Sequence, residues 1–307
     1  MKLRVMRTAL VVAAACMMAV QAYAGGPAAR PTGAARVLAS ATSSATRFTD
    51  LLSASQAAPR LTAVQRARTI GAGALNGVLS TLQEGGLPFA APVDFVLNQR
   101  GEPVFLLKDG SILHANIAAT PLSSLLIVDG TSGQAVSLAG EVGPLPEQEF
   151  AQSHVDFLNV HPVARECIAP GGLSFFKLAV QKCYLHAPDG GVWLPVAEYA
   201  SATIDALAPF AHHIISSVNG PRRAELCRFC EAYFGRSVAS AELVGIDELG
   251  FDVALALGAA GEGKGGSLER RRVGFSGPRK TEQEARSLFV KTFFQAWEPP
   301  AQPPSAS

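Results

Sequence analysis

Residues 79–128, LSTLQEGGLPFAAPVDFVLNQRGEPVFLLKDGSILHANIAATPLSSLLIV, decide the fold of this chain. Runs rich in Val, Phe and Leu alternate there with Gly, Pro and Asn, which is the pattern of short consecutive antiparallel strands joined by tight turns. One polar stretch, which carries Lys108, Ser111 and His114, interrupts the strands. A barrel built from such strands would hold a ligand at that interruption, so these side chains are the first candidates for a binding site.

The flanking sequence extends this pattern and divides the chain into two units. Strands are predicted over residues 77–82, 89–97, 103–107, 125–128, 135–142, 173–185 and 192–195, and helices over 61–75, 111–119 and 146–160. After Glu198 the pattern predicts helices over 205–218 and 224–234, a hairpin over 241–246 and 251–257, a strand over 268–275 and a capped helix that ends at Trp297. We therefore predict an α+β chain, with a β-barrel or sandwich over 61–198 and a small α+β domain over 199–298.

The first 60 residues have the composition of a targeting leader. Basic residues precede an apolar run, and Ala22-Tyr23-Ala24 fits a small-x-small cleavage site, so residues 1–24 are predicted to be a signal peptide. Residues 25–60 are rich in Ala, Ser and Thr, and no acidic residue precedes Asp50, as in organelle transit peptides. A signal followed by a transit-like segment predicts import into a plastid surrounded by extra membranes. The alternative is a secreted or endomembrane protein in which residues 25–60 form a disordered linker.

Charge and cysteine content argue against two classes of function. Six basic residues precede Phe48, which leaves 20 basic and 25 acidic residues and a net charge of −5. We expect no nucleic-acid partner, because such binding relies on Lys and Arg against phosphate. Cys227 and Cys230 lack the second pair of ligands that a structural zinc site needs, so we expect a buried helical pair. No membrane segment is expected after processing, and residues 299–307 are predicted to be a disordered tail.

Several segments carry a resemblance to a known family. They are residues 85–107 and 111–128 in the barrel, then LCRFC at 226–230, IDELGFD at 246–252 and QAWE at 295–298. In this order and spacing the chain resembles the FMN-binding split-barrel family of pyridoxamine phosphate oxidase-like proteins. Its barrel is similar to the haem-oxygenase-like branch, and its second unit is similar to the glutamyl-tRNA reductase-binding proteins. The resemblance implies a split β-barrel followed by the α+β domain, and a homodimer with a cleft between the two barrels.

The resemblance also assigns expected roles to the polar stretch. Relatives place a histidine there, which implies that His114 is a haem-iron ligand and that Lys108, Ser111 and Asn116 line a cofactor site. A polar residue that bonds the backbone at a helix start is the alternative for His114. Haem is the expected cofactor and FMN the less favoured one, because Lys108 and Ser111 are few groups for a flavin phosphate. The sequence contains no Ser/His/Asp order or phosphate loop, so no catalytic residue is predicted.

Three functions follow as hypotheses. Haem-degrading relatives carry a His-Met-Asn-x-Asp-His stretch where this chain has Ser216-Ser217-Val218-Asn219-Gly220. The leading hypothesis is therefore a plastid regulator of tetrapyrrole synthesis that binds glutamyl-tRNA reductase and has no enzymatic activity, although haem could bind in its dimer cleft. The alternative is a haem-degrading enzyme, and the third hypothesis is an FMN-dependent oxidase.

Overall fold

A computed structural model describes residues 48, 51–53, 58–130, 132–168, 171–188, 190–258 and 268–297. The signal peptide expected over 1–24, most of the transit-like segment 25–60 and the tail expected over 299–307 lie outside these residues. Within the described part, no helix is both long enough and apolar enough to cross a membrane.

Six antiparallel strands close into a barrel. They are β1 Asn76–Leu82, β2 Pro88–Leu97, β3 Pro103–Lys108, β4 Leu122–Val128, β5 Ala135–Pro144 and β6 Leu173–His186. Their order is β3-β2-β1-β4-β5-β6, and β3 pairs with β6 to close the ring, with Lys108 opposite Leu173. A short strand β7, Val192–Leu194, extends the sheet beside β6. The predicted antiparallel split β-barrel is confirmed.

Alternating side chains fill the barrel. Leu125, Ile127 and Leu138 point inward and are fully buried, whereas their neighbours along each strand are partly exposed. A β-bulge interrupts the pairing of β5 with β6. Gly140 lies at this bulge, and a Cβ atom there would come within 1.9 Å of the Ala179 carbonyl oxygen. The close approach of the two backbones therefore requires glycine.

Short helices cover the barrel. They are α1 Ala63–Gly73, α2 Ile112–Ala119, α3 Glu147–Val160, α4 Ala164–Ile168 and α5 Val196–Ser201. A capping box starts α1, because the Thr62 side chain accepts a hydrogen bond from the Gln65 N–H and the Gln65 Oε1 accepts one from the Thr62 N–H. The sequence pattern missed α4 and α5, since a helix of five or six residues is too short to show a helical period.

The second unit is a three-stranded antiparallel sheet packed against helices. Its elements are α6 Ala211–Asn219, α7 Arg223–Phe234, β8 Val238–Asp247, β9 Gly250–Leu257, β10 Leu268–Gly274 and α8 Glu282–Trp297, with strand order β10-β9-β8. Aromatic rings fill its core: the Phe251 and Phe289 centroids lie 5.0 Å apart, and those of Phe229 and Phe293 lie 6.2 Å apart. The α+β character predicted for this unit is confirmed, whereas the domain boundary at residues 198 and 199 remains a prediction.

One predicted helix begins later than expected. The pattern predicted a helix from Asp205, but residues 208–210 form a 3₁₀ turn and α6 begins at Ala211. The cause is local, because the Asp205 carboxylate accepts hydrogen bonds from the Leu207 N–H at 3.2 Å and the Glu248 N–H at 2.8 Å. A side chain that bonds the backbone two residues ahead favours a turn over a helix.

Part of the segment expected to be transit-like or disordered belongs to the folded second unit. Phe48 and Leu52 are 0% and 1% exposed within its core, and Leu52 forms a β-bridge with Phe275. The Pro59 carbonyl accepts two hydrogen bonds from the buried Arg272 guanidinium, at 3.1 and 3.2 Å. The expectation of disorder up to residue 60 is therefore wrong for these positions, because the second unit buries apolar side chains that precede the barrel in the sequence.

Candidate functional site

The polar stretch that the sequence singled out runs from the end of β3 through a tight turn into α2. Lys108 ends β3 and is exposed, and Gly110, at φ +71°, allows the tight turn that follows. Ser111 is the N-cap of α2, where its Oγ accepts a hydrogen bond from the His114 N–H at 3.3 Å. Ser111 and His114 are thus brought together by helix capping, and the Ser111 hydroxyl has a structural role.

His114 packs inside the first turn of α2. Its ring meets the Phe176 ring edge-on at 5.6 Å, and its Nδ1 accepts a hydrogen bond from the Gly110 N–H at 3.4 Å. An Nδ1 that accepts a hydrogen bond carries no proton, so the neutral imidazole carries its proton on Nε2. A metal needs an unprotonated nitrogen, and this arrangement therefore disfavours iron ligation through Nε2. The backbone contact expected under the alternative for His114 is present.

Asn116 faces away from Lys108 and into the barrel. It is 8% exposed, and its side-chain amide donates a hydrogen bond to the Thr81 hydroxyl of β1 at 2.9 Å. This bond holds α2 against the barrel and satisfies two buried polar groups. The four predicted site residues therefore lie in three places. Ser111 and His114 meet at the helix cap, Asn116 is buried in the interior, and Lys108 is exposed to solvent.

The remaining barrel histidines have different environments. His161 ends α3, where its Nε2 lies 3.0 Å from the Phe95 carbonyl oxygen. His154 stacks on Phe150 with ring centroids 5.7 Å apart and an interplanar angle of 15°. His161 therefore has a structural role at the end of α3.

A surface cluster of aromatic side chains on β6 and β7 escaped the sequence reasoning. The Tyr184 ring lies 4.7 Å from the His186 ring and 4.9 Å from the Trp193 ring, and Trp193 is 65% exposed. His186 Nε2 lies 2.9 Å from the Ser137 hydroxyl, and desolvation by burial lowers the pKa of His186, which favours its neutral form. Two signals could have identified the cluster: the spacing of Tyr184 and His186 places them on one face of β6, and Trp193 lies on the adjacent strand.

The barrel presents an apolar outer face next to this cluster. Val78, Leu126 and Pro92 are paired across neighbouring strands, and their side chains point away from the buried interior. Leu122 and Val128, at the two ends of β4, are 51% and 44% exposed. We call this surface, formed by the outward residues of β1, β2 and β4, the outer face. A patch of this kind is typical of an interaction surface.

Residues 216–220, where the resemblance would place the histidine-rich motif of haem-degrading relatives, lie at the end of α6. Val218 is buried, and the Asn219 side chain both donates to the Leu243 carbonyl and accepts from the Leu243 N–H, each at 2.8 Å. Asn219 thereby connects the end of α6 to β8 beside a register shift between Leu243 and Gly245. One N–H and one oxygen lone pair of its amide are therefore used by the backbone.

The cysteines have the arrangement expected of a buried helical pair. Cys230 is fully buried and Cys227 partly so, and burial raises the pKa of the Cys230 thiol, which disfavours a thiolate ligand. Among the residues that the structure describes, no group of three or more His, Cys, Asp or Glu side chains could hold a metal ion. A cavity of about 440 Å³ lies in the second unit at the start of α8 and shares no residue with the polar stretch of the barrel.

Comparison with known proteins places this geometry in context. A scan of protein-family models finds no match. The chain is 25% identical over 248 residues to the chloroplastic non-canonical heme oxygenase HOZ of Arabidopsis thaliana, covering 76% of this chain and 74% of that protein. A heme binding protein from Mycobacterium smegmatis matches in structure with a TM-score of 0.61 and 25% identity, covering 78% of this chain and 98% of that one. The chain has the split-barrel fold and is similar to both of these proteins.

A second plant relative also matches. This chain is 24% identical over 189 residues to the chloroplastic glutamyl-tRNA reductase-binding protein of Arabidopsis thaliana. The match covers 58% of this chain and 55% of that protein, so the chain spans little more than half the length of this relative. The resemblance expected from the sequence is confirmed for both groups of relatives.

Proposed function

We propose that this chain is a plastid regulator of tetrapyrrole synthesis that binds glutamyl-tRNA reductase and responds to haem. The relationship to the reductase-binding protein supports the partner, and the two haem-related relatives support the ligand. The observation that carries the regulatory assignment is the bidentate contact of Asn219 with Leu243. It gives a structural role to the stretch in which haem-degrading relatives carry their histidine-rich motif.

The direct test of the partner uses purified reductase. We expect the full chain to retain it on an affinity column and to shift its elution in size-exclusion chromatography. Reductase that elutes unchanged across a range of concentrations and salt would reject this proposal.

The residues of the polar stretch fit a haem iron poorly. The His114 Nδ1 already accepts a hydrogen bond from the Gly110 N–H, and the side chains of Ser111 and Asn116 are used within the fold. Trp193, which is exposed beside the outer face, offers the aromatic surface that a porphyrin needs. We therefore place haem binding at the barrel surface, where its porphyrin would be held by apolar contacts.

A homodimer through the outer face is part of this proposal. Two copies would cover apolar residues such as Leu126 and Leu122, and they would form a cleft between the barrels. We expect Leu126→Glu to convert a dimer into a monomer in light scattering, because it would bury two charges at the interface. Val163→Glu is the matched control, since Val163 is 73% exposed and lies on another surface, between α3 and α4. A wild-type monomer at high concentration would reject the homodimer.

A haem-degrading enzyme is the second candidate. It is favoured by the haem oxygenase relative, whose match covers more of this chain than that of the reductase-binding protein. Incubation of the purified chain with haem and a reductant separates the two candidates. Loss of the Soret band with release of a biliverdin-like product would establish the enzyme, whereas a stable Soret band supports the regulator.

An FMN-dependent oxidase is the weakest candidate. Of the two residues expected to contact a flavin phosphate, Ser111 is used as a helix cap and Lys108 stands in solvent. The absorption spectrum of the purified chain tests this assignment, since a yellow protein with flavin bands would support it.

Import of the full chain into the plastid is also a proposal, supported by the leader composition and by the two chloroplastic relatives. A fluorescent fusion found in the secretory pathway would contradict it.

A further inference from the structure

One side of α8 combines a cavity with cations and exposed aromatic rings. We call it the α8 face, and it comprises Arg279, Ser287, Lys291, Phe294 and Trp297 together with Arg228 of α7. The cavity of about 440 Å³ is lined in part by Arg279, Ser287 and Lys291. Trp297 lies ten residues beyond Ser287 in the same helix, which corresponds to about 15 Å along its axis. The face is therefore long enough to contact a short peptide segment.

The aromatic end of this face is exposed to solvent. Phe294 is 69% exposed and Trp297 is 61% exposed, although both belong to a helix whose other side fills the core of the second unit. The Arg228 guanidinium lies 3.3 Å from the centroid of the Trp297 ring. Trp and Arg are the residues most enriched at the energetic centres of protein interfaces. The stacked pair offers an apolar surface with a positive charge above it.

The charge of the α8 face is positive. Arg228, Arg279 and Lys291 contribute cations, and among the described residues neither Arg228 nor Lys291 forms an ion pair with a carboxylate. Glu284, the acid beside the cavity, accepts hydrogen bonds from the N–H groups of Lys280 and Thr281, at 2.8 and 3.1 Å. Its charge is thus engaged by the start of the helix, whereas the sequence from Phe48 onward carries a net charge of −5. A basic patch on an acidic chain attracts a partner whose acidic groups lie only at the contact. A nucleic acid is charged along its whole length, so the rest of the acidic chain would repel it.

We propose that the α8 face docks an acidic segment of a partner protein that also carries large apolar side chains. Carboxylates would pair with Arg228 and Lys291, and apolar side chains would pack on Phe294 and Trp297. The inference rests on the proposed function for the identity of that partner, which would be glutamyl-tRNA reductase. The docking chemistry itself rests on the residues of this face.

The first test uses Trp297 as the reporter. The sequence contains two tryptophans, so Trp193→Phe leaves Trp297 as the only one. The probe is an amphipathic peptide of about 15 residues, with Glu on one face and Leu and Phe on the other. We expect the peptide to shift Trp297 emission to shorter wavelength, and we expect added salt to weaken its binding. A peptide with Lys in place of Glu, and transfer RNA, are the competing ligands.

Two substitutions of exposed arginines make the test specific. We expect Arg228→Glu to weaken binding of the acidic peptide at least about tenfold, because it reverses the charge above the Trp297 ring. Arg165→Glu is the matched control and should leave binding unchanged, since Arg165 is exposed on α4. The inference is overturned if the acidic peptide leaves Trp297 emission unchanged, or if the Lys peptide or transfer RNA binds more tightly.

Purified reductase separates failure of this inference from failure of the proposed function. Binding to the wild-type chain that Arg228→Glu abolishes would support both. Equal binding to wild type and Arg228→Glu would overturn the docking surface and leave the proposed function standing. No binding to wild type would reject the reductase as the partner, and the peptide titration would then decide whether the surface docks acidic segments.

Discussion

Substitution of Gly101 by alanine tests a buried contact that holds the barrel and its covering helices together. Gly101 lies in the turn between β2 and β3 at φ +77°, and a Cβ atom there would come within 2.0 Å of Arg68 Nη1 and 2.9 Å of Tyr199 Cε1. Arg68 is 5% exposed and donates a hydrogen bond to the Gln99 carbonyl at 2.9 Å. The Tyr199 hydroxyl donates to the Gly101 carbonyl at 3.0 Å. The buried guanidinium therefore has no room to move aside locally.

The loss of stability has two parts. A left-handed backbone conformation costs an alanine about 1 kcal/mol relative to glycine. Displacement of Arg68 loses a hydrogen bond from a charged donor, worth about 2 kcal/mol, and its contact with the Tyr199 ring, worth about 1 kcal/mol. We therefore expect Gly101→Ala to lower the free energy of unfolding by about 4 kcal/mol. Gly133→Ala is the matched control, because Gly133 has φ +70° but open space around its missing Cβ, and it should lose only about 1 kcal/mol.

Urea unfolding measures both variants in a Trp297→Phe background, where Trp193 reports on the barrel. A difference of about 3 kcal/mol between them corresponds to about 1 M urea in the transition midpoint. Equal midpoints for Gly101→Ala and Gly133→Ala would show that Arg68 is not held against Gly101, and the reasoning would be refuted.

Three further predictions concern residues that hold the second unit together. Desolvation raises the pKa of Asp205 to about 6, above the value of 3.8 expected when it is unfolded. Its carboxylate therefore destabilises the folded state as pH rises from 4 to 6, and Asp205→Asn should gain melting temperature relative to wild type over that range; a constant difference would contradict this. Asn219→Ala should lower the free energy of unfolding by about 2 kcal/mol, because it leaves both backbone groups of Leu243 without their partner, and unchanged urea unfolding would contradict it. Phe48→Ala should cost about 3 kcal/mol in urea unfolding, since the side chain is 0% exposed, and a neutral result would show that residue 48 does not complete the core.

Local sequence patterns predicted most elements of the fold. Each barrel strand has alternating side chains or turn residues that a single sequence displays, as Leu125 and Ile127 do in β4. The closure of the barrel through β3 and β6 was not visible in the residues, because that pairing joins segments about 70 residues apart, and it came from the resemblance. The packing of Phe48 into the second unit was missed for the same reason. The composition of a segment describes that segment alone, and it does not show whether a core formed by distant residues buries its apolar side chains.

The sequence identified the polar residues of the candidate site but not the contacts that their side chains make. The sequence placed Ser111, His114 and Asn116 in one short stretch, and the structure places them at the N-cap and within α2. It did not show that Ser111 would cap a helix or that Asn116 would turn inward to Thr81. Both outcomes depend on which backbone and side-chain groups are left without partners once the strands are paired. A list of polar residues does not contain that information.

Hydrogen-bond and ion-pair partners distinguish polar groups that hold the fold together from polar groups that a partner could bind. Asn219 satisfies two backbone groups of β8, so recruiting it for haem chemistry would leave those groups unpaired at a cost of about 1–3 kcal/mol each. Arg228 and Lys291 bond no carboxylate in the described part of the chain, so a partner can use them without disrupting the fold. Both residues belong to the α8 face, which is why we propose that a partner protein binds there.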